Sequence, residues 1–474
     1  MKTKGLHLAF LLIGIGFFWN VNAQVKVDSL VFAPFGKVHL YIPQGMPSSV
    51  TIMISGDGGW KYGVIDFSKH FANQNSLVIG VDIVQYNKNL RSRSEECYHI
   101  SGDFVALATN IEKKYKFKSY QEPLLMGYSS GATMVFAVLA QARPNTFRGG
   151  ISLGFCPDVD LPKLFCELNG LKAHRLPNDK LFYLDPDSKL GNRWIVLQGK
   201  LDNICNFNDT KSFLDKTSDD ELIILNKVGH GFSNWSDFMP QWDKAFRELT
   251  SEKEVQKSSS INSETNNSII DLPLVLTQSE NEKEGSALVF MISGDGGWYS
   301  FEQNLSDRFL KTCIPTIGLD AKKYFWERKT PQQAADDISN VLHHYMELWK
   351  KQKVILVGYS IGAEVLPFIF EKLPTDLQKS SRMVLLSPDE KTDFEVHYLN
   401  MLGLKTKDDY YDVINELRTV SHMTSIKVIF GSEEKSKMPV ALSDYKITFL
   451  EMPGDHHYNN DYNVMFEAIN NSVN

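Results

Sequence analysis

Several functional classes are excluded by what this sequence has little of. Positive charge is not in excess. The 50 Lys and Arg against 57 Asp and Glu leave a formal net charge of −7, so there is no basic footprint and no nucleic-acid partner is expected. The apolar run at residues 8–19 is too short to span a bilayer comfortably. No cysteine stands at Gln24 to take a lipid anchor. Only five cysteines occur, and neither a metal nor a cofactor is expected.

What is present fits an exported globular protein. Lys2 and Lys4 precede the apolar run, and Val21-Asn22-Ala23 fits a small-residue cleavage site. Residues 1–23 therefore read as a secretory signal peptide, placing the product in the periplasm or outside the cell. Export gives the cysteines meaning. Cys97, Cys156, Cys166 and Cys205 cluster in the first half and suggest two disulfides, with three pairings open. Cys313 stands alone in the second half and reads as a small buried apolar residue. A length of 474 residues exceeds one ordinary core, so two domains are expected.

The chain repeats itself. V-I-L-V-G-Y-S-I-G-A places Ser360 on a G-x-S-x-G turn between an apolar β-branched run and a helical pattern. L-L-M-G-Y-S-S-G-A does the same for Ser129. Strand, sharp turn and helix are the context of a nucleophile elbow. Upstream of each elbow an apolar strand runs into the same six residues, S-G-D-G-G-W, at 55–60 and 293–298. Two motifs recurring in one order indicate a duplication. Strand patterns at 77–84 and 315–319 alternate with helical ones at 103–114 and 331–349, where Thr330 and Pro331 form a helix start. This alternation predicts α/β architecture: two tandem α/β-hydrolase domains, each a mostly parallel sheet flanked by helices. The divisions are a leader at 1–23, a first domain at 24–250, a polar linker at 251–268 and a second domain at 269–474.

A serine hydroxyl needs a base to take its proton, and that base needs an acid to orient it. In α/β-hydrolases the chain order is Ser, acid, His. The first half supplies Ser129, then Asp202 in G-K-L-D after a strand, then His230 in G-H-G-F. The second supplies Ser360, then Glu434 in G-S-E-E, then His456 in D-H-H-Y. Glu433 and Asp389 remain alternatives to Glu434, and His457 reads as a bystander. Oxyanion donors are expected from the N–H groups of Ser130 and Ile361 and from the glycine-rich loops, at Asp57 with Gly58 and at Asp295 with Gly296. The loop carboxylates are turned away, paired, or used to hold a cationic group; alternatively they fix the loop by local hydrogen bonds. Trp60, Trp298, Tyr299, Phe301, Phe325 and Trp326 are candidates for an acyl pocket or for core packing.

These motifs resemble the VirJ/AcvB group of bacterial virulence proteins. The second half, with G-Y-S-I-G-A-E-V-L-P, L-L-S-P-D-E-K-T-D-F-E-V-H and P-G-D-H-H-Y, is similar to the VirJ domain. The first half, with L-A-Q-A-R-P-N-T-F-R-G and K-V-G-H-G-F, is similar to the additional N-terminal domain of AcvB. The resemblance implies a periplasmic serine hydrolase of lysyl-phosphatidylglycerol, meeting its lipid at the membrane surface, with secretion-system components as possible partners. It would place Ser360 on the aminoacyl carbonyl. One departure is Asp455, where the family has glycine. A carboxylate there would raise the basicity of His456 or hold a substrate ammonium.

Overall fold

The computed structural model describes residues 25–251, 272–278, 287–396 and 410–470, apart from 62, 94–96, 168–169, 176–180, 187–189, 219 and 299. The leader at 1–23, nearly all of the linker, Tyr299 and His397 lie outside the described residues.

Two separate sheets organise the chain. The first has eight strands, which in spatial order are Lys26–Phe32, Gly36–Ile42, Ser76–Val81, Ser49–Ile54, Leu124–Tyr128, Gly149–Leu153, Trp194–Gly199 and Asp220–Leu225. Numbered along the chain, the order is 1-2-4-3-5-6-7-8. The hairpin at one edge pairs antiparallel, and every pair from the Ser76–Val81 strand onward is parallel. The second sheet has seven strands, in the order Leu274–Thr277, Thr316–Leu319, Ala287–Ile292, Lys353–Tyr359, Ser381–Leu386, Ile426–Gly431 and Ile447–Met452. Only its first pair is antiparallel. These are two α/β-hydrolase sheets, the second without a described counterpart of the outermost strand.

Burial explains the strand sequences. Ser49–Ile54, Trp194–Gly199 and Ala287–Ile292 are buried at every position, because helices cover both faces. Such strands read as unbroken apolar runs rather than alternating ones. The last strand of each sheet lies at an edge and is only partly buried. Each domain accordingly has two apolar layers, one on either face of its sheet.

The helix after each elbow, Ser130–Gln141 or Ile361–Lys372, packs on the strand before it. Thr330 caps the helix Pro331–Leu348 in a full capping box with Gln333. Each domain also carries a small insertion between the strand after the elbow and the strand that ends in the acid: three short strands in the first, two in the second. In the first domain, disulfides staple this region. Cys97 pairs with Cys166, and Cys156 with Cys205. Cys313 departs from its reading as a buried residue. It is free and partly exposed, because it sits in the turn closing the helix Ser300–Lys311, with φ at 60° and its N–H on the Leu310 carbonyl.

The domains touch through polar as well as apolar groups. Trp326 donates its indole N–H to the Phe117 carbonyl at 2.8 Å, Lys323 pairs with Glu122 at 2.6 Å, and Lys113 bonds Glu395 at 3.1 Å and the Trp326 carbonyl.

Candidate active sites

Both elbows have the same strained geometry. Ser129 has φ 56° and ψ −122°; Ser360 has φ 52° and ψ −122°. A non-glycine residue in this region costs on the order of 1–3 kcal/mol, and tight packing on both sides holds it there. The flanking glycines are steric necessities. A Cβ at Gly127 would lie 2.2 Å from the Gly131 carbonyl oxygen, and one at Gly358 would lie 2.4 Å from that of Gly362. Strand and helix can cross this closely only without side chains.

In the first domain three predicted residues form a continuous chain. Ser129 Oγ lies 3.0 Å from His230 Nε2, and His230 Nδ1 lies 2.9 Å from Asp202 Oδ2. Asp202 is buried, and its Oδ1 accepts the N–H groups of Ile204 and Cys205 at 3.0 and 2.9 Å. Gln198 Nε2 reaches Oδ2 at 3.3 Å. The Cys156–Cys205 disulfide ties this acid-bearing loop to the loop after the neighbouring strand.

In the second domain Glu434, rather than Glu433 or Asp389, contacts the histidine. Its Oε1 lies 2.7 Å from His456 Nδ1. Its Oε2 accepts from the Gly431 N–H at 2.7 Å and from the Ser387 hydroxyl at 2.6 Å, and Ser387 is in turn 2.6 Å from the Tyr458 hydroxyl. Burial pushes the Glu434 carboxyl up, but the hydrogen bonds from His456, Ser387 and Gly431 outweigh it and hold it below its ordinary value. Among the described residues no hydrogen bond joins Ser360 Oγ to His456, although both line one cleft of about 300 Å³. His457 points elsewhere. Asp455 accepts its backbone N–H at 2.8 Å and lies 3.9 Å from its ring, so Asp455 engages His457 rather than the base. Burial, with Arg143 and His456 adding, lowers the His457 pKa.

The S-G-D-G-G-W loops sit against the serines. A Cβ on Gly56 would lie 3.1 Å from that of Ser129, and one on Gly294 would lie 3.6 Å from that of Ser360. The Gly59 and Gly297 N–H groups close on the Gly56 and Gly294 carbonyls and that of Gly294 is bonded to Glu302, so Asp57, Gly58, Asp295 and Gly296, with Ser130 and Ile361 at the helix starts, are the candidate oxyanion donors. What fixes the loops was not legible in the motif itself. Ser55 Oγ accepts the Ile83 N–H at 3.1 Å, and Ser293 Oγ accepts that of Ala321 at 2.9 Å. Asp82, at the end of the next strand, accepts the Trp60 N–H at 3.2 Å while capping the helix Ile83–Arg91. Asp320 caps the following turn in the same way. The repeated V-D and L-D before these helices were the available signal.

Asp295 has a cationic neighbour. Lys322 is buried between the domains, its ammonium 3.5 Å from the centre of the Tyr120 ring. Burial pulls its pKa down to about 8, against the pull of Glu112, Asp320 and Asp295. Thus two residues of the first domain, Tyr120 and Glu112, shape the charge behind the second domain's loop.

The aromatic candidates turn inward. Trp60 covers Gly80, where a Cβ would lie 2.1 Å from the indole, and Trp298 covers Gly318 at 2.2 Å. Phe301, Phe325 and Trp326 are buried as well. They are core and interface residues, because a large ring on a bare glycine strand is a packing solution.

Five contributors escaped the sequence reading. The tyrosine before each serine pins the histidine loop: Tyr128 donates to the His230 carbonyl at 2.9 Å, and Tyr359 to that of His456 at 3.2 Å. Their repetition in G-Y-S-x-G was the visible sign. Ser387 and Tyr458 carry the acid's hydrogen bonds. Glu364, four residues after Ser360, faces the cleft together with Ser387, Asp389 and Glu390. Burial, opposed by a Thr392 hydrogen bond and reinforced by Asp389 and Asp295, pushes its carboxyl up to about 8. A smaller cleft of about 190 Å³ between Lys227 and Asp237 flanks the His230 loop but does not include Ser129, so it is not where the first triad acts.

The family of bacterial virulence proteins (VirJ) matches residues 48–149 and 286–474. No curated protein matches the chain. Among solved structures, the esterase domain of a Rhodothermus marinus protein is 14% identical, covering 47% of this chain and 98% of its own, with a TM-score of 0.32. An α/β serine hydrolase without a lid from Xanthomonas campestris is 16% identical over 48% of this chain and 93% of its own, TM-score 0.30. An α/β serine hydrolase homologue from Coxiella burnetii is 16% identical over 48% and 95%, TM-score 0.30. The chain belongs to the VirJ family.

Proposed function

We propose that this VirJ-family chain is an exported serine hydrolase whose second domain cleaves an aminoacyl ester of a phospholipid, of the lysyl-phosphatidylglycerol type, at Ser360. One observation carries the reading. The cleft that holds Ser360 and His456 is lined by the carboxyl groups of Glu364, Asp389 and Glu390, which suit a substrate whose acyl part is cationic. Glu364 holds its proton near neutral pH and can release it when an ammonium group arrives.

The chemistry follows from the geometry. His456, oriented by Glu434, takes the Ser360 proton as Oγ attacks the aminoacyl carbonyl. The N–H of Ile361 and those of Asp295 and Gly296 are the donors left for the oxyanion, since the Gly294 N–H is bonded to Glu302 and that of Gly297 to the Gly294 carbonyl. The lipid glycerol oxygen leaves with the proton from His456. Water then cleaves the aminoacyl-serine, passing its proton back through His456, and the free amino acid departs.

Export is supported by the leader expected at residues 1–23 and by the two disulfides of the first domain, which suit an oxidising compartment. No helix among the described residues is long and apolar enough to cross a membrane. The lipid is then met at a membrane surface. The test is lysine release from lysyl-phosphatidylglycerol vesicles by the purified protein. The wild type is expected to release lysine, and Ser360→Ala to lose the activity. Failure of the wild type to release it refutes the substrate. Failure to react with a fluorophosphonate as well favours an accessory role in a secretion system, with the hydrolase fold kept as scaffold.

A further inference from the structure

We propose that the first domain is a second, independent esterase centre whose substrate is an uncharged acyl ester. This goes beyond the reaction assigned to Ser360 and does not depend on it. The first observation is completeness. Ser129, His230 and Asp202 are joined at 3.0 and 2.9 Å, and Asp202 is fully engaged by two backbone N–H groups and Gln198.

The second observation is the character of the surroundings. The residue four positions after the serine is Glu364 in the second domain and Thr133 in the first. Thr133 is buried, and its hydroxyl is occupied by the Cys156 carbonyl. The loop on either side of Asp202 presents Leu201 and Ile204 to solvent, 63% and 69% exposed. In the second domain Glu433 and Lys435 flank the acid, and Asp389 and Glu390 line the cleft where the first domain has Cys156 and Pro157. Asp57 and Asp295 are common to both loops, so they do not distinguish the sites. An apolar rim beside a neutral helix start accepts an acyl chain without an ammonium group.

The reaction balances with water alone. Ser129 Oγ bonds to the acyl carbon while His230 takes its proton. The ester C–O bond breaks and the alcohol leaves with that proton. Water then attacks the acyl-serine, gives a proton to His230, and the carboxylic acid leaves as Ser129 recovers its hydrogen.

The full chain is assayed with p-nitrophenyl butyrate, and a fluorophosphonate adduct is mapped by peptide mass. The wild type is expected to carry the adduct on Ser129, and Ser129→Ala to lose at least about 10³-fold in butyrate hydrolysis. Because adduct mapping uses the unaltered chain, a folding defect in the variant does not obscure it. Absence of adduct at Ser129, or butyrate hydrolysis that survives Ser129→Ala at the wild-type rate, overturns the proposal. Thr133→Glu is expected to shift kcat/KM about tenfold from butyrate toward a lysine p-nitrophenyl ester. No shift overturns the assignment of an uncharged substrate.

Discussion

The two candidate sites share a backbone geometry and differ in how the acid is held. In the first, Asp202 hangs on the N–H groups of its own loop, and the Cys156–Cys205 disulfide braces that loop. In the second, Glu434 is one methylene longer. It leans on the hydroxyl of Ser387, backed by Tyr458. The position explains the exchange. Gly154 follows its strand where Ser387 follows the equivalent one, and a Cβ at Gly154 would lie 3.4 Å from His230 Nδ1 and 3.5 Å from Asp202 Oδ2. Those are ordinary contact distances and both residues have a positive φ, 61° and 50°, so the exchange turns on the hydroxyl: Glu434 accepts it, and Asp202 takes the N–H groups of its own loop instead. An acid oxygen is thus placed at the histidine Nδ1 by two local solutions, at 2.9 Å in the first domain and 2.7 Å in the second.

That contrast can be broken most strongly at the acids themselves. Asp202→Asn is expected to lower butyrate hydrolysis, and Glu434→Gln lysine release, by about 10³-fold or more each, since each leaves its imidazole misoriented. Steady-state kinetics on both substrates checks this, and a cross-over of the two effects would show that the substrates are exchanged. Next is the brace. Replacing Cys156 and Cys205 by serine should cost the first domain about 2–5 kcal/mol and leave the second untouched, visible in calorimetry as one shifted transition. Third is the hydroxyl. Ser387→Ala removes a charge-assisted hydrogen bond from Glu434, worth about 1.5–3 kcal/mol, and should lower kcat for lysine release by about tenfold or more with KM little changed.

Smaller effects sharpen the comparison. Tyr128→Phe and Tyr359→Phe each delete one hydrogen bond to a histidine carbonyl, about 0.5–1.5 kcal/mol, so each site should slow only several-fold. The smallest is a pH effect on stability. Glu364 has its pKa raised from 4.5 to about 8 by burial, so between those values the folded state keeps a proton that the unfolded state releases. Wild-type stability therefore falls as pH rises through this window. Glu364→Gln should raise Tm by about 2–4 °C at pH 9 and leave it unchanged at pH 4. Thr133, being neutral, offers no such effect in the first domain.

Much of this was readable in the chain because it is duplicated. One G-x-S-x-G is a short pattern. Two, each after an apolar strand, before a helix, and downstream of S-G-D-G-G-W, placed Ser129 and Ser360 on elbows. Counting from the shared glycine placed Glu434 opposite Asp202. The supports of those residues were not readable. Asp82 and Asp320 lie beyond the loops they hold, in what looked like the ends of strands. Ser387 is far along the chain from Glu434. Trp60 and Trp298 could be read as pocket or as core, and the choice was open because the glycines they cover, Gly80 and Gly318, stand on different strands.

By itself the sequence determined the strands, their helices, the repeated elbow and the chain order of serine, acid and base, since each depends on periodicity and on residues close together along the chain. Only the tertiary structure decided the rest. It selected one of the three possible disulfide pairings, turned the tryptophans inward, set a buried lysine of the second domain against Tyr120 of the first, and gathered Glu364, Asp389 and Glu390 around Ser360. The physical reason is distance along the chain. Local preference acts over a few residues, whereas charge and packing act across whatever the folded sheet brings within a few ångströms.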